Sequence, residues 1–200
     1  DHGDKSPSQG GVRNSEAIVW QKLLIENGYA ARTIPQEYGG FGGEPDIIKS
    51  RIIAEEFSRE QINPGLGGQG ISMLVPTLLE MGTQEQKERW LPNIAKGEPL
   101  CAVSVTEPNT GSDVASVSLK ATKTPDGWLL NGGKTWCTFA GRSEVLVVLA
   151  RTNPDTSLGY KGLSLFLVKK PIYKGHSFSH KQKQGGTLTG KAIATLGYRG

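Results

Sequence analysis

Apolar positions in the first half of the chain recur at helical spacing. Ile18, Val19, Leu23 and Leu24 form a stripe that predicts a helix from about Arg13 to Asn27, with Gly28 placed to end it. Ile47, Ile48, Ile52, Ile53 and Phe57 predict a second amphipathic helix over Asp46–Arg59, and Asp46 suits its N-cap because a carboxylate can accept the amide protons of the first turn. A third run, Gly70 to Met81, contains Pro76, which must sit near the helix start or kink it, since proline lacks an N–H and crowds the preceding turn. Thr83 followed by Gln86 fits a capping box that opens a fourth helix toward Trp90 and Leu91. The Gly- and Pro-rich segment from Pro35 to Pro45 reads as turns.

The pattern changes near Lys96 to Leu100. Leu100 to Val105 reads as a strand, and Val117, Leu119 and Ala121 alternate as in a half-buried strand. Asp126-Gly127 and Asn131-Gly132 are hairpin-type turn signals on either side of Trp128 to Leu130. Val145 to Ala150 is apolar throughout, as in a strand covered on both faces, and Leu163 to Val168 is a further strand candidate. The fold expected is therefore α+β and multi-domain: an all-α domain over 1–98, then an antiparallel β-sandwich or barrel domain over 99–200.

Composition changes this picture little. Of 200 residues, 36% are apolar and 21% charged, which are globular values. The net charge of +4 is mild and dispersed, so nucleic-acid binding gains no support. No apolar run approaches the ~18 residues of a membrane span, and no secretory leader pattern opens the chain. Cys101 and Cys137 both lie in apolar patterns and read as reduced, buried thiols, which points to a reducing, cytoplasmic-type compartment.

Candidate chemistry concentrates in two runs, CAVSVTEPNTGSD (Cys101 to Asp113) and KTWCTFAG (Lys134 to Gly141). The first is a strand that breaks into a turn of Pro108, Asn109, Gly111 and Ser112, presenting backbone N–H groups and small hydroxyls to an anion or a polar heterocycle. The second reads as another strand, whose period of two would put the Trp136 indole and the Thr138 hydroxyl on one face. A stacking plate with directed donors suits a flat, hydrogen-bonding cofactor. Trp136 alone would read as core, and Thr106 and Thr138 alone as ordinary strand threonines.

TEPNTGSD and GKTWCTFAG resemble the two flavin-contacting signatures of the acyl-CoA dehydrogenases. IPQEYGGFGG (Ile34 to Gly43), LLEMGTQEQKERWLPNIAKGE (Leu78 to Glu98) and LLNGGKTW (Leu129 to Trp136) resemble that family in the same order. The resemblance implies FAD as cofactor, an acyl-CoA substrate dehydrogenated to the 2-enoyl-CoA, and an electron-transferring flavoprotein as partner. By it, Thr106 faces the pyrimidine edge of the flavin, Thr138 lies near N5, and Trp136 covers one side of the ring. Ser112 lies between flavin and the substrate's thioester arm, and Gly111 permits close backbone approach. Val103, Val105 and Cys137 complete the cofactor-binding set; Val103 stands where the family often has an aromatic, and Cys137 where it usually has an aliphatic residue.

The resemblance also implies that the α-proton base is a glutamate of a carboxy-terminal helical bundle that forms the tetramer core. The chain begins without Met and runs to Tyr198-Arg199-Gly200 without a terminating signal, so that domain is expected beyond Gly200 and no catalytic residue within this fragment. The compartment implied is cytoplasmic and bacterial-like, with the mitochondrial matrix open. Acyl-CoA oxidases and nitroalkane-oxidising relatives share the same cradle. A non-catalytic or heteromeric FAD-binding subunit that takes its base from a partner chain is the alternative.

The remaining polar features read as structural. A carboxylate beside Pro108 braces its turn, so Glu107 is not taken as the base, and Asp113 is expected to cap local N–H groups. His176 and His180 lack a third ligand for a metal. Lysines 169, 170, 174, 181 and 183 read as a solvated basic surface, although they could meet CoA phosphates. GGFGG around Phe41 lies between helices and is no dinucleotide fingerprint. Gly175 to Gly200 reads as a surface β-excursion that resembles an insertion of some bacterial members and ends in the family's LG-x-R stretch.

Overall fold

A computed structural model describes residues 15–98 and 100–194. The chain divides into two compact units, Asp1–Leu100 and Cys101–Gly200. The first holds helices α1 (Ser15–Glu26), α2 (Ile47–Arg59), α3 (Val75–Met81) and α4 (Gln84–Ala95). The second holds strands β1 (Cys101–Ser104), β2 (Lys120–Thr124), β3 (Gly127–Asn131), β4 (Val145–Arg151), β5 (Leu163–Lys169), β6 (Ser177–Lys181) and β7 (Thr187–Lys191). The α+β class is as expected, helices first and sheets second.

Local signals placed the helices well. The Asp46 carboxylate accepts the Lys49 N–H at 2.9 Å. Thr83 and Gln86 form both bonds of the capping box, side chain to backbone in each direction. Pro76 sits at the start of α3, and the turn before it, Gly70–Leu74, is wound with i→i−5 bonds, the Val75 N–H reaching the Gly70 carbonyl. The wider turn eases the clash that a proline ring would make with an α-helical carbonyl. Pro92, inside α4, shows that a proline can also be carried within a packed helix.

Burial followed the predicted faces less closely. On α1 the buried residues are Gln21, Leu24 and Ile25, whereas Val19 and Leu23 are exposed. Gln21 is buried because its amide closes two backbone gaps at once: it donates to the Ala95 carbonyl at 3.1 Å and accepts the Leu66 N–H at 2.7 Å. None of α2 is buried; Ile47, Ile48 and Ile52 face solvent in this chain. The helical core is instead built from Leu24, Ile34, Tyr38, Leu74, Val75, Leu78, Leu91 and Ile94.

The larger sheet is centred on β4, which is buried along nearly all its length. One edge of β4 pairs antiparallel with β5 over its whole extent; the other pairs with β1 from Val145 to Val148 and passes to β2 at Arg151. The pairings with β1 and β2 are parallel, so the sheet is mixed rather than wholly antiparallel. The long segment between β1 and β4, which contains the β2–β3 hairpin, gives the chain length enough for a parallel crossover. That hairpin turns at Pro125-Asp126 before Gly127, as the Asp-Gly signal predicted. Ala102, Leu119, Ala121, Leu146, Val148 and Ala150 form the core beneath the sheet. β6 and β7 pair as a separate two-stranded hairpin, the excursion expected after Gly175. The LG-x-R stretch and the first residues of the predicted Arg13 helix lie outside the described residues.

Gly132 ends β3 with a φ of +147°, and a Cβ there would lie 2.9 Å from Leu119 Cγ. A Cβ on neighbouring Gly133 would meet nothing within 4 Å. Gly132→Ala should therefore lose about 2 kcal/mol of stability, while Gly133→Ala stays within about 0.5 kcal/mol. Urea midpoints of the two variants check this, and equal midpoints would contradict the geometry.

Candidate functional site

The turn after β1 is closed by its own backbone: Glu107 N–H donates to the Thr110 carbonyl at 2.8 Å, and Thr110 N–H returns to the Glu107 carbonyl at 3.1 Å. Pro108 and Asn109 occupy the corners, where fixed φ and turn propensity favour them. Beneath the turn the Glu107 carboxylate is buried and takes four bonds, from Ser118 N–H (2.9 Å), Ser118 Oγ (2.7 Å), Leu119 N–H (2.9 Å) and Lys134 Nζ (2.8 Å). Burial pushes this carboxyl up, but the bonds from Lys134, Ser118 and Leu119 outweigh it and hold it at about 2, against an ordinary 4.5. Glu107 thus braces the turn, as its position beside Pro108 suggested.

Lys134 joins the two sequence runs. Its buried ammonium also donates to the Val105 carbonyl at 2.9 Å, and the next residue's N–H, Thr135, donates to the Thr106 carbonyl at 2.9 Å. Three bonds therefore fix the end of β1 against the start of the second run. Arg151 holds the far side of the turn, its buried guanidinium donating to the carbonyls of Ala115 (2.5 Å) and Val117 (2.9 Å). Lys134 and Arg151 were both missed from sequence; a lysine two residues after Asn131-Gly132, with a lone Glu before Pro in the other run, is the signal that could have found the first.

The second run is not a strand. Residues 133–137 are irregular and 138–142 form turns. Trp136 (φ 57°) and Phe139 (φ 64°) both have left-handed backbone, which breaks the two-residue alternation expected to align Trp136 with Thr138. Non-glycine residues in that region cost on the order of 1–3 kcal/mol each and persist only where their surroundings over-determine them. Here the surroundings are the Thr135–Thr106 bond on one side and the Ser143 N–H to Phe139 carbonyl bond (2.8 Å) on the other. The Arg142 guanidinium lies 4.9 Å from the centroid of the Phe139 ring.

Held this way, the Trp136 indole is 62% exposed although its neighbours on both sides are half-buried. Val103, Val105, Thr106, Cys137 and Thr138 are half-buried, and Gly111 and Ser112 are exposed. The hydroxyls of Thr106 and Thr138 have no hydrogen-bond partner among the described residues. A Cβ on Gly111 would meet nothing within 4 Å, so the turn is open there. An exposed indole, unpaired hydroxyls and an open glycine turn fit a planar heterocycle with polar edges, and the donor set therefore suits a flavin. Bonds at Val105, Thr106, Lys134 and Thr135 bring the base of the two runs together; no bond among the described residues ties Gly111 or Ser112 to the second run.

The other sequence candidates resolve simply. Asp113 accepts the Ser116 hydroxyl rather than a cap N–H. Both cysteines are free; Cys101 is buried as expected, whereas Cys137 is only half-buried, and burial raises its thiol with Ser104 and Lys134 opposing. The His180 ring shares a 3.1 Å hydrogen bond with the Tyr173 hydroxyl. Lys170 is not solvated: its side chain is buried and donates to three carbonyls.

Comparison with known proteins agrees with the geometry. The middle-domain model of the acyl-CoA dehydrogenases matches residues 102–197, and the N-terminal-domain model matches residues 8–98. The chain is 41% identical over 180 residues to a (2S)-methylsuccinyl-CoA dehydrogenase of Cereibacter sphaeroides, covering 90% of this chain and 31% of that protein. It is 40% identical to the mitochondrial isovaleryl-CoA dehydrogenase of Solanum tuberosum, over 82% of this chain and 38% of the relative. Among solved structures, an acyl-CoA dehydrogenase from Geobacillus kaustophilus superposes with a TM-score of 0.61 at 30% identity, over 82% of this chain and 42% of that one. The chain thus spans between three and four tenths of the length of these curated relatives.

The Glu107 carboxyl generates a pH dependence with a definite sign. Its folded value lies below its unfolded one, so its contribution is present above about 4.5 and is lost as pH falls toward about 2. Stability should drop across that window in the wild type, and Glu107→Gln should flatten the drop. At neutral pH the same variant should lose about 3–5 kcal/mol, because it leaves the Lys134 ammonium buried without its counter-charge. Chemical denaturation of both proteins at several pH values checks both parts.

Proposed function

The chain belongs to the acyl-CoA dehydrogenase family, and from that premise we propose that its sheet-bearing unit is the flavin wall of an FAD-dependent enzyme that dehydrogenates an acyl-CoA thioester between its α and β carbons. The observation that carries the reading is the exposed Trp136 indole, fixed in left-handed backbone on a segment that the Thr135–Thr106 bond ties to the end of β1. Residues 1–98 correspond to the helical domain and 99–200 to the middle domain in this reading.

Bound FAD would supply the acceptor for the substrate's β-hydride at its N5 atom. The protein's part is to stack, donate and exclude water. Trp136 covers one side of the ring, with Val103, Val105 and Cys137 forming the apolar wall. Thr106 and Thr138 donate hydroxyl protons toward the edges where negative charge accumulates on reduction, which favours the reduced form. Gly111 lets the backbone of the turn come close, and Ser112 stands between the cofactor and the thioester arm.

Glu107 is unsuited to α-proton removal. With a carboxyl held at about 2 and four donors already on it, it is a weak base at neutral pH. The base is assigned instead to a glutamate of a carboxy-terminal helical domain in the whole protein. An electron-transferring flavoprotein is the proposed electron acceptor, and the same helical domain the proposed site of oligomerisation.

The full-length protein tests this. It should purify with flavin, and Gly111→Val should reduce flavin retention about tenfold or more by filling the open turn. Thr138→Val should keep its flavin but lower the reduction potential by about 20–30 mV, the equivalent of one hydrogen bond of about 1 kcal/mol in a two-electron couple. A wild-type protein without flavin sinks the reading; an unchanged potential removes Thr138 from its role.

A further inference from the structure

The strained turn that carries Thr138 and Phe139 is held from both ends by a buried lysine, and only one of the two belongs to the signature runs. At the far end Lys170 Nζ donates to the carbonyls of Gly141 (2.7 Å), Ser143 (2.6 Å) and Pro171 (3.0 Å). It also lies 4.9 Å from the centroid of the Phe178 ring on β6 and 5.4 Å from that of Tyr173. The Tyr173 N–H donates to the Gly141 carbonyl at 3.0 Å, and the Lys170 N–H to the Glu144 carbonyl at 3.0 Å. Ser143 is fully buried; its hydroxyl bonds the Ala140 carbonyl and its N–H the Phe139 carbonyl. The carbonyls of Gly141 and Ser143 are thus drawn to a single ammonium, while those of Phe139 and Ala140 are taken by Ser143 itself.

We propose that Lys170 is a positioning residue for the flavin wall: by donating to the carbonyls of Gly141 and Ser143 it locks the left-handed turn that sets Thr138 and Phe139 beside Trp136. The inference rests on the flavin reading for its consequence in catalysis, but not for the locking itself. An ammonium offers three N–H donors in a tetrahedral array, one for each carbonyl, and its charge suits the two ring faces. A neutral amine has only two hydrogens, so titration leaves one of the three carbonyls without its donor and removes the charge that draws those of Gly141 and Ser143 together.

Burial pushes Lys170 down to about 8, with the Glu144 carboxylate opposing. The other titratable or charged groups around it are Tyr173 with its partner His180, Arg142 beyond Phe139, and the neighbouring Lys169. The folded value lies below the ordinary 10.5, so the unfolded chain keeps this proton longer and global stability does not fall between the two. A change at the site near pH 8 is therefore distinguishable from unfolding.

The experiment compares full-length wild type, Lys170→Met and Lys170→Arg. Two readouts need no cofactor: hydrogen exchange of the Ala140 and Ser143 amides, and Trp136 environment by fluorescence of the flavin-free protein between pH 7 and 9.5. We expect Lys170→Met to raise exchange at both amides about tenfold with little change at β4, and Lys170→Arg to restore most of the protection. In flavin-loaded protein the visible circular dichroism should titrate near pH 8 in the wild type and not in Lys170→Met. Wild-type exchange in Lys170→Met, or a pH-independent wild-type site in both states of loading, overturns the proposal. Should Lys170→Met not fold, the wild-type pH titration decides alone. Protein that takes up no flavin but shows the exchange effect would refute the functional reading while leaving the lock in place.

Discussion

The buried pair of Glu107 and Lys134 is the constraint on which the rest of the site depends. Isolated, either charge would be costly where it sits, since taking an ion out of water costs several kcal/mol even after relaxation. Together they are tolerable because each answers the other and backbone groups complete the set: the carboxylate has donors on both oxygens, and the ammonium has the Val105 carbonyl as a second acceptor. Such a pair contributes less to net stability than to choosing one arrangement of the chain. Here the arrangement chosen is the register between the turn after β1 and the run that begins at Lys134. An apolar pair of equal volume could fill the space, but it could not satisfy Ser118, Leu119 and Val105 at once.

From that register follows the placement of the aromatic plate. Trp136 stands two residues beyond Lys134, with Thr135 pinned to Thr106 between them, so its position is set by fixed backbone on the N-terminal side. On the C-terminal side β4 is the rigid reference, paired along both edges and buried almost throughout. The intervening segment has to change direction within a few residues, and two left-handed residues accomplish this without a glycine at either position. Using Trp and Phe there costs backbone strain, and at these sharp corners the Phe139 ring is half-buried while the Trp136 ring is left in the open. The exposure of Trp136 follows from that geometry.

How much of this was legible in the sequence depended on range. Caps, the Pro125-Asp126-Gly127 hairpin and the apolar β4 run were readable because each is determined by residues within a few positions of one another. The strand reading of Lys134 to Thr138 failed because alternation presumes extended backbone, and no local rule announces a left-handed tryptophan. The stripe on α1 failed similarly: Gln21 is buried by backbone groups of Leu66 and Ala95, partners invisible to a periodicity argument. Lys170 looked like one more surface lysine since its partners are carbonyls, which carry no sequence signal at all. Glu107 was legible because proline beside it made a structural role the simpler one.

The polar groups of the site divide by kind. The charged ones, Glu107, Lys134, Arg151 and Lys170, are buried and committed to each other or to backbone carbonyls. The hydroxyls of Thr106 and Thr138, which have no partner among the described residues, are neutral. This division has a chemical reason. A buried charge used as scaffolding must not change state during the reaction, and four bonds keep the Glu107 carboxyl ionised far below neutral pH. A hydroxyl can donate to a ligand edge as charge develops there and costs little when the ligand leaves, because water replaces it. Exchanging the roles would fail twice: a carboxylate facing the heterocycle would oppose the negative charge of reduction, and threonines beneath the turn could not fix its register. On the proposed reading, the same separation is the reason to seek the α-proton base outside these loops, since a carboxylate free enough to take a proton would be too free to hold the turn.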